Sequence, residues 1–201
     1  MIFILFVTVF GVSSAVPSET LSVTNGGDKG VWGQPEYCAN NTYAVGYDMK
    51  IEGRLGWFGD DTALNGIKLI CRSPHEHSSI KNHVTSKVGP WGRWVGEAYC
   101  NSGAGKRDFL TAFSLQVERK GVADGTSANY VKFECRDLER SKTSYEMSKA
   151  PGHGKWGTYG PWSSQCPAGK AICGIKTRIE PPRGRKADDT ALNDVVFYCC
   201  D

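Results

Sequence analysis

The 201-residue chain carries 24 Lys and Arg against 21 Asp and Glu, a net charge of +3, together with 8 Cys, 24 Gly and 6 Trp. So small a charge does not by itself point to nucleic acid, and eight cysteines suit an oxidising compartment, where they pair rather than remain thiols. Frequent glycine, short alternating runs and little 3.6-residue periodicity predict an all-β protein.

The chain opens with an uncharged apolar run of 11 residues, 2–12, followed by Ser13, Ser14 and Ala15. That run is too short to span a bilayer and reads as a secretory signal peptide, 1–15, cut after Ala15, although no Lys or Arg precedes it. The remainder, 16–201, reads as one domain built from three repeats of about 23–73, 84–137 and 147–200. Each repeat opens with Gly-x-Trp-Gly, at 30–33, 89–92 and 154–157, and a cysteine follows at Cys38, Cys100 and Cys166. An alternating segment then ends in Glu52, Glu118 or Glu180. Each repeat closes on Asp-x-Thr-x-x-Asn and a strand ending in cysteine: Asp60 leads to Cys71, Asp124 to Cys135 and Asp188 to Cys199, with successive copies 64 residues apart. The polar segments 73–87 and 136–150 read as linkers.

Strand parity supports one shared core. Val45, Tyr47, Met49 and Ile51 fall on one face, as do Phe113, Leu115 and Val117, and Ile175 and Ile179. Behind the tetrads, Ile67, Leu69 and Cys71 match Val131, Phe133 and Cys135, and Val195, Phe197 and Cys199. One small sheet cannot bury such a face alone, so three copies turned toward a common axis would. If equivalent cysteines pair equivalently, the bonds are Cys38 to Cys71, Cys100 to Cys135 and Cys166 to Cys199, leaving Cys173 for Cys200. Parity argues for exchange within the last four, since Cys173 and Cys199 share the apolar face and Cys200 points away. The dispersed cysteines, with no CxxC pair, disfavour a metal site.

The triple Gly-x-Trp-Gly, the triple tetrad before a cysteine-ended strand, the eight cysteines and the leader together resemble the vitelline membrane outer layer protein 1 family, over roughly residues 23–200. The resemblance implies an all-β fold, a β-prism of the first type: three four-stranded Greek-key sheets around a pseudo-threefold axis, in a secreted extracellular protein. The second repeat departs from the pattern, with Gly125 where the others have Asp61 and Asp189, and with Ser127 and Ala128 for Ala-Leu.

Three kinds of residue carry candidate chemistry. Asp60, Asp61, Asp188, Asp189, Glu52 and Glu180 are candidate catalytic acids, because glycoside chemistry needs two carboxyl groups in different protonation states, and family members are associated with transfer among chitin-type oligosaccharides. The same Asp, Thr and Asn residues also favour turns through side-chain bonds to nearby amides, and threefold recurrence fits a turn better than an asymmetric acid–base pair. Among the tryptophans, Trp32, Trp91 and Trp156 read as packing over sheet edges, whereas Trp57 and Trp94 lack counterparts in every copy and are the candidate ligand contacts. Asn40 heads an Asn-Asn-Thr sequon and is a candidate glycosylation site. Arg183, Arg185 and Lys186 read as a solvated basic loop, and His75, His77 and His83 as exposed linker histidines.

No cofactor or metal is expected. The expectation is a structural component of an extracellular coat or matrix, partnered by egg-coat or matrix proteins and glycans, with no nucleic acid and no membrane after leader cleavage. The alternatives are an enzyme acting on N-acetylglucosamine oligosaccharides through paired carboxylates, and a lectin-like glycan-binding module.

Overall fold

The computed structural model describes residues 17–53, 63–75, 82–100, 108–118, 126–139, 143–182 and 190–201. These residues form strands and connections, with no helix among them. In chain order the strands are β1 (Glu19–Leu21), β2 (Val31–Trp32), β3 (Glu36–Tyr37), β4 (Tyr43–Ile51), β5 (Leu64–Arg72), β6 (Asn82–Val84), β7 (Arg93–Trp94), β8 (Ala98–Tyr99), β9 (Phe109–Val117), β10 (Ala128–Arg136), β11 (Tyr145–Met147), β12 (Thr158–Tyr159), β13 (Ala171–Ile179) and β14 (Leu192–Cys200). Three nine-residue hairpins, β4–β5, β9–β10 and β13–β14, form the centres of three antiparallel sheets.

Sheet I runs β6-β5-β4-β7, with β8 also on β4; sheet II runs β11-β10-β9-β12; sheet III runs β1-β14-β13-β2, with β3 also on β13. In sheets I and II the fourth strand returns to lie beside the first, which is a Greek key. Sheet III has the same spatial order, but its last two strands come from the opposite end of the chain. The N-terminal strands therefore close the prism onto the C-terminal hairpin.

Sequence repeats and sheets are out of phase. The first half of each repeat pairs with one sheet, and its hairpin forms the next: Cys38 donates its amide to the Cys173 carbonyl on sheet III, whereas Cys71 lies on β5 of sheet I. The segments 73–87 and 136–150, read as linkers, carry the outer strands β6 and β11. Their three-residue strands are too short to show alternation, and their place is set by the ladder offered by β5 and β10.

Four disulfides join the eight cysteines: Cys38–Cys71, Cys100–Cys135, Cys166–Cys199 and Cys173–Cys200. By the same phase shift the first three each connect two different sheets, and together they tie all three. Cys173–Cys200 instead bridges β13 and β14 within sheet III. The parity argument for exchange fails here because the β13–β14 register slips between Ile172 and Gly174, making Cys173 a bulge residue. Its side chain joins Cys200 in a second apolar cluster with Tyr43, Val45, Ile70, Phe109 and Ala171, while Cys166 and Cys199 stay in the central core. The register also skips Val45 on β4, which moves that residue into the second cluster and off the face of Tyr47 and Met49.

The axis is filled by side chains from all three sheets. Tyr47 packs against Phe133 with centroids 4.7 Å apart, and Phe133 meets Phe197 edge-on at 5.2 Å, as Phe197 meets Phe113 at 4.7 Å. All four are fully buried, and each such side chain contributes roughly 1.5–3 kcal/mol relative to exposure. The Tyr47 hydroxyl donates to the Val131 carbonyl (3.1 Å) and accepts from the Lys149 amide (2.8 Å), which joins sheet I to sheet II. Burial, the largest influence, pushes this phenol well above its ordinary range.

Candidate functional site

The Asn residues that close the tetrads lie at the ends of the three hairpins. A register shift makes Asn65, Asn129 and Asn193 the bulge residues of β5, β10 and β14, and all three are buried. In the third copy, Glu180 Oε2 accepts from the Thr190 amide (3.1 Å) and hydroxyl (2.7 Å). Asn193 Nδ2 then donates to the Thr190 Oγ1 (2.7 Å) and to the Ala191 carbonyl (3.2 Å). The second copy repeats this with Glu118, Thr126, Asn129 and Ser127, at 3.0, 2.8, 2.6 and 3.2 Å. In the first copy Asn65 Nδ2 donates to the Ala63 carbonyl at 3.4 Å, and Thr62 lies outside the described residues.

These bonds stabilise a costly turn. Ala63, Ser127 and Ala191 occupy equivalent positions with φ of 47°, 56° and 46°, a left-handed conformation that costs a residue with a Cβ roughly 1–2 kcal/mol. The Glu–Thr–Asn bonds, each contributing about 1 kcal/mol, offset it. Among the candidate acids, Glu180 therefore serves as a buried hydrogen-bond acceptor in a repeated hairpin end. Glu52 occupies the matching place in sheet I, its amide donating to the Ala63 carbonyl at 2.9 Å. Asp60, Asp61, Asp188, Asp189 and Trp57 lie outside the described residues, as do Arg183, Arg185, Lys186 and His77.

A groove of about 260 Å³ opens where sheet I meets sheet II. One wall is Ile51, Glu52, Gly53, Ala63 and Val95; the other is Asn129, Tyr130 and the 150–156 segment, with a cis Ala150–Pro151 peptide, His153 and Trp156. Trp156 is anchored by its amide, which donates to Asn129 Oδ1 at 3.2 Å, and Tyr130 by its hydroxyl, which donates to the Lys149 carbonyl at 2.8 Å. An aromatic face, a second ring and a carboxylate around one concave site is an arrangement able to hold a sugar ring.

The outer faces of the sheets carry a different constellation. Gly30, Gly92 and Gly157, with φ of 82°, 75° and 77°, press against the backbone of residues 179–180, 51–52 and 117–118 respectively, so these three are the equivalent glycines. The first copy of the motif is thus displaced by three residues, and its counterparts to Gly89 and Gly92 are Gly27 and Gly30. In consequence Trp94 does have counterparts: Lys50 pairs with Trp94, Arg178 with Trp32 and Gln116 with Tyr159. Each ring has a cation over it, Lys68 at 4.0 Å from Trp94, Lys132 at 4.6 Å from Tyr159 and Lys176 at 5.4 Å from Trp32. Sequence matching missed this because it aligned the tryptophans, whereas strand register, visible only in the sheet, sets equivalence.

The family model for Vitelline membrane outer layer protein I matches residues 19–201. The chain belongs to that family. The vitelline membrane outer layer protein 1 homolog of Homo sapiens is 42% identical over 181 residues, 90% of this chain and 82% of the relative. The Mus musculus homolog is likewise 42% identical over 182 residues, with the same coverage. A mannose-specific jacalin-related lectin from Morus nigra, solved with mannose, superposes with a TM-score of 0.50 at 14% identity, covering 97% of this chain and 100% of the lectin, and so shares its β-prism fold.

Of the other residues singled out in the sequence of this family member, Asn40 is exposed in a tight turn in which the Thr42 amide and hydroxyl both donate to the Ala39 carbonyl, at 3.0 and 2.6 Å. His83 Nε2 lies 3.5 Å from Glu97, and the His75 amide donates to Ser73 Oγ.

Proposed function

We propose that this chain is a secreted structural component of an extracellular coat or matrix of the vitelline-membrane outer-layer type, partnered by coat proteins and glycans. The observation that carries the reading is the set of three disulfides that tie each sheet to the next. Disulfides form and persist in oxidising environments, and ties between sheets suit a protein that keeps its shape outside the cell. The relatives' names and the leader-like residues 1–15 agree with that placement. Expression of the full chain in a secretory host tests it: the protein is expected in the medium, starting at Val16, fully oxidised, and retained by an extracted egg-coat or mucous matrix. Retention inside the cell, or an unprocessed N-terminus, would end the reading.

A glycan-binding module is a second reading, favoured by the groove between Glu52, Tyr130 and Trp156. A glycan array together with a chito-oligosaccharide product assay separates the alternatives. Binding lost on Trp156→Ala supports a lectin; products that vanish on Glu52→Gln in a folded variant support an enzyme; neither binding nor product leaves the coat function alone.

A further inference from the structure

The pseudo-threefold repeat is its own control, because the same strand positions recur on three outer faces with different residues. On sheet I, Lys68 lies over Trp94, and Asp48, its ladder partner, sits 3.5 Å from the ammonium. On sheet II, Lys132 lies over Tyr159 and Trp162, and Glu146 binds it at 2.8 Å. In both cases a carboxylate neutralises the cation beside the aromatic rings. Sheet III reverses this arrangement. The position of Asp48 is taken by Lys176 and that of Lys68 by Val196, which face each other in the ladder. Among the described residues no carboxylate forms an ion pair with Lys176.

The ring beside it is also the most accessible of the set. Trp32 is 38% exposed and stands among the few large apolar side chains left open, next to Val31 at 55%. Arg178 also lies near it, 6.0 Å from the ring centroid, held by a bond from its Nε to the Gly30 carbonyl (3.2 Å) and facing Asp194 across the ladder. Shielding of the sheet is a sufficient reason for the aromatic–cation pairs of sheets I and II. It does not account for a face on which Asp194 stands opposite Arg178 rather than beside the lysine over the ring, so that Lys176 has no ion-pair partner among the described residues, and on which the indole is open.

We propose that the outer face of sheet III, centred on Trp32 and Lys176 with Arg178 beside them, binds anionic polysaccharide. A pyranose ring presents an apolar C–H face that packs against the exposed part of the indole, and a sulfate or carboxylate on that ring reaches the Lys176 ammonium 5.4 Å from the indole centroid. An uncharged sugar gains only the stacking, and a small anion only the charge. The proposal rests on the extracellular reading solely for where such a polymer is met.

The experiment uses the purified, fully oxidised chain on immobilised dextran sulfate, hyaluronan and uncharged dextran at about 0.15 M salt. Binding to one or both anionic polymers and not to dextran is expected. Trp32→Ala and Lys176→Gln should each weaken it by about tenfold, the scale of one desolvated cation–aromatic contact. Lys132→Gln removes the same charge from sheet II and should change it less than about twofold, since that lysine is already neutralised. An equal loss from Lys132→Gln, no loss from Lys176→Gln, or equal binding to uncharged dextran would overturn the proposal. Should Trp32→Ala fail to fold by circular dichroism, Trp32→Phe and Lys176→Gln carry the test. Failure here leaves secretion and coat retention untouched, so the two readings fall separately.

Discussion

Removal of the Cys100–Cys135 bond is expected to cost more stability than removal of Cys173–Cys200, and the structure gives the ratio. The first closes a separation of 35 residues between sheets I and II, and no other disulfide overlaps that loop. The chain-entropy relation then gives about 3.8 kcal/mol. The second spans 27 residues, which alone would give about 3.5 kcal/mol. Yet Cys166–Cys199 already joins the chain seven residues before Cys173 and one before Cys200, so the additional loop is only about eight residues and the bond contributes about 2.5 kcal/mol. Paired Cys→Ala variants are the right perturbation, because all these cysteines are buried and a serine hydroxyl would be orphaned. Guanidinium titrations followed by circular dichroism, extrapolated linearly, give the two free energies. A larger cost for Cys173–Cys200, or costs below about 1 kcal/mol for both, would refute the reasoning.

Other consequences can be measured as directly. Thr190→Val leaves the buried Glu180 carboxylate without a hydroxyl donor and should cost about 2–3 kcal/mol, with Thr126→Val similar because Glu118 is bonded in the same way; near-neutral values would remove the hairpin-end role. Gly157→Ala would drive a Cβ into the Val117 carbonyl at φ +77°, whereas Gly169→Ala at φ +79° meets open space, so the first should cost several kcal/mol and the second about 1. Stability should hold up to about pH 10 and fall above it, because the buried Tyr47 and Tyr159 phenols keep their protons in the native state after the unfolded chain has lost them; Tyr47→Phe should reduce that slope in denaturation midpoints measured from pH 8 to 11. In a secretory host the exposed Asn40 turn should carry a glycan, read as a mass shift removed by amidase and absent from Asn40→Gln; secreted protein of unshifted mass would refute occupancy.

The legible and the hidden features divide along one physical line. A three-copy pattern with alternating apolar residues determines from sequence alone that the chain is all-β, that no copy can bury its face alone, and that the copies share a core, because alternation and burial are local consequences of residue type. The hydrogen-bonding habits of Asp, Thr and Asn likewise marked the tetrad as a turn element, and Thr190 with Asn193 and Thr126 with Asn129 form such groups. Register is not local. A single bulge residue, Cys173 or Val45, reverses which face the following side chains occupy, and nothing in the alternation announces it. For the same reason the equivalence of Trp32 with Trp94 and Tyr159 was hidden behind a better-looking match of Trp-Gly pairs. Which sheet each half-repeat joins, and therefore that the disulfides tie sheets together and that β1 and β2 close the prism on β13 and β14, is decided by long-range pairing, from Thr158 on Val117 to Glu19 on Cys199. Sequence specified the parts and their faces; only the tertiary ladder decided which faces meet, and so that Trp32 is left open to the solvent.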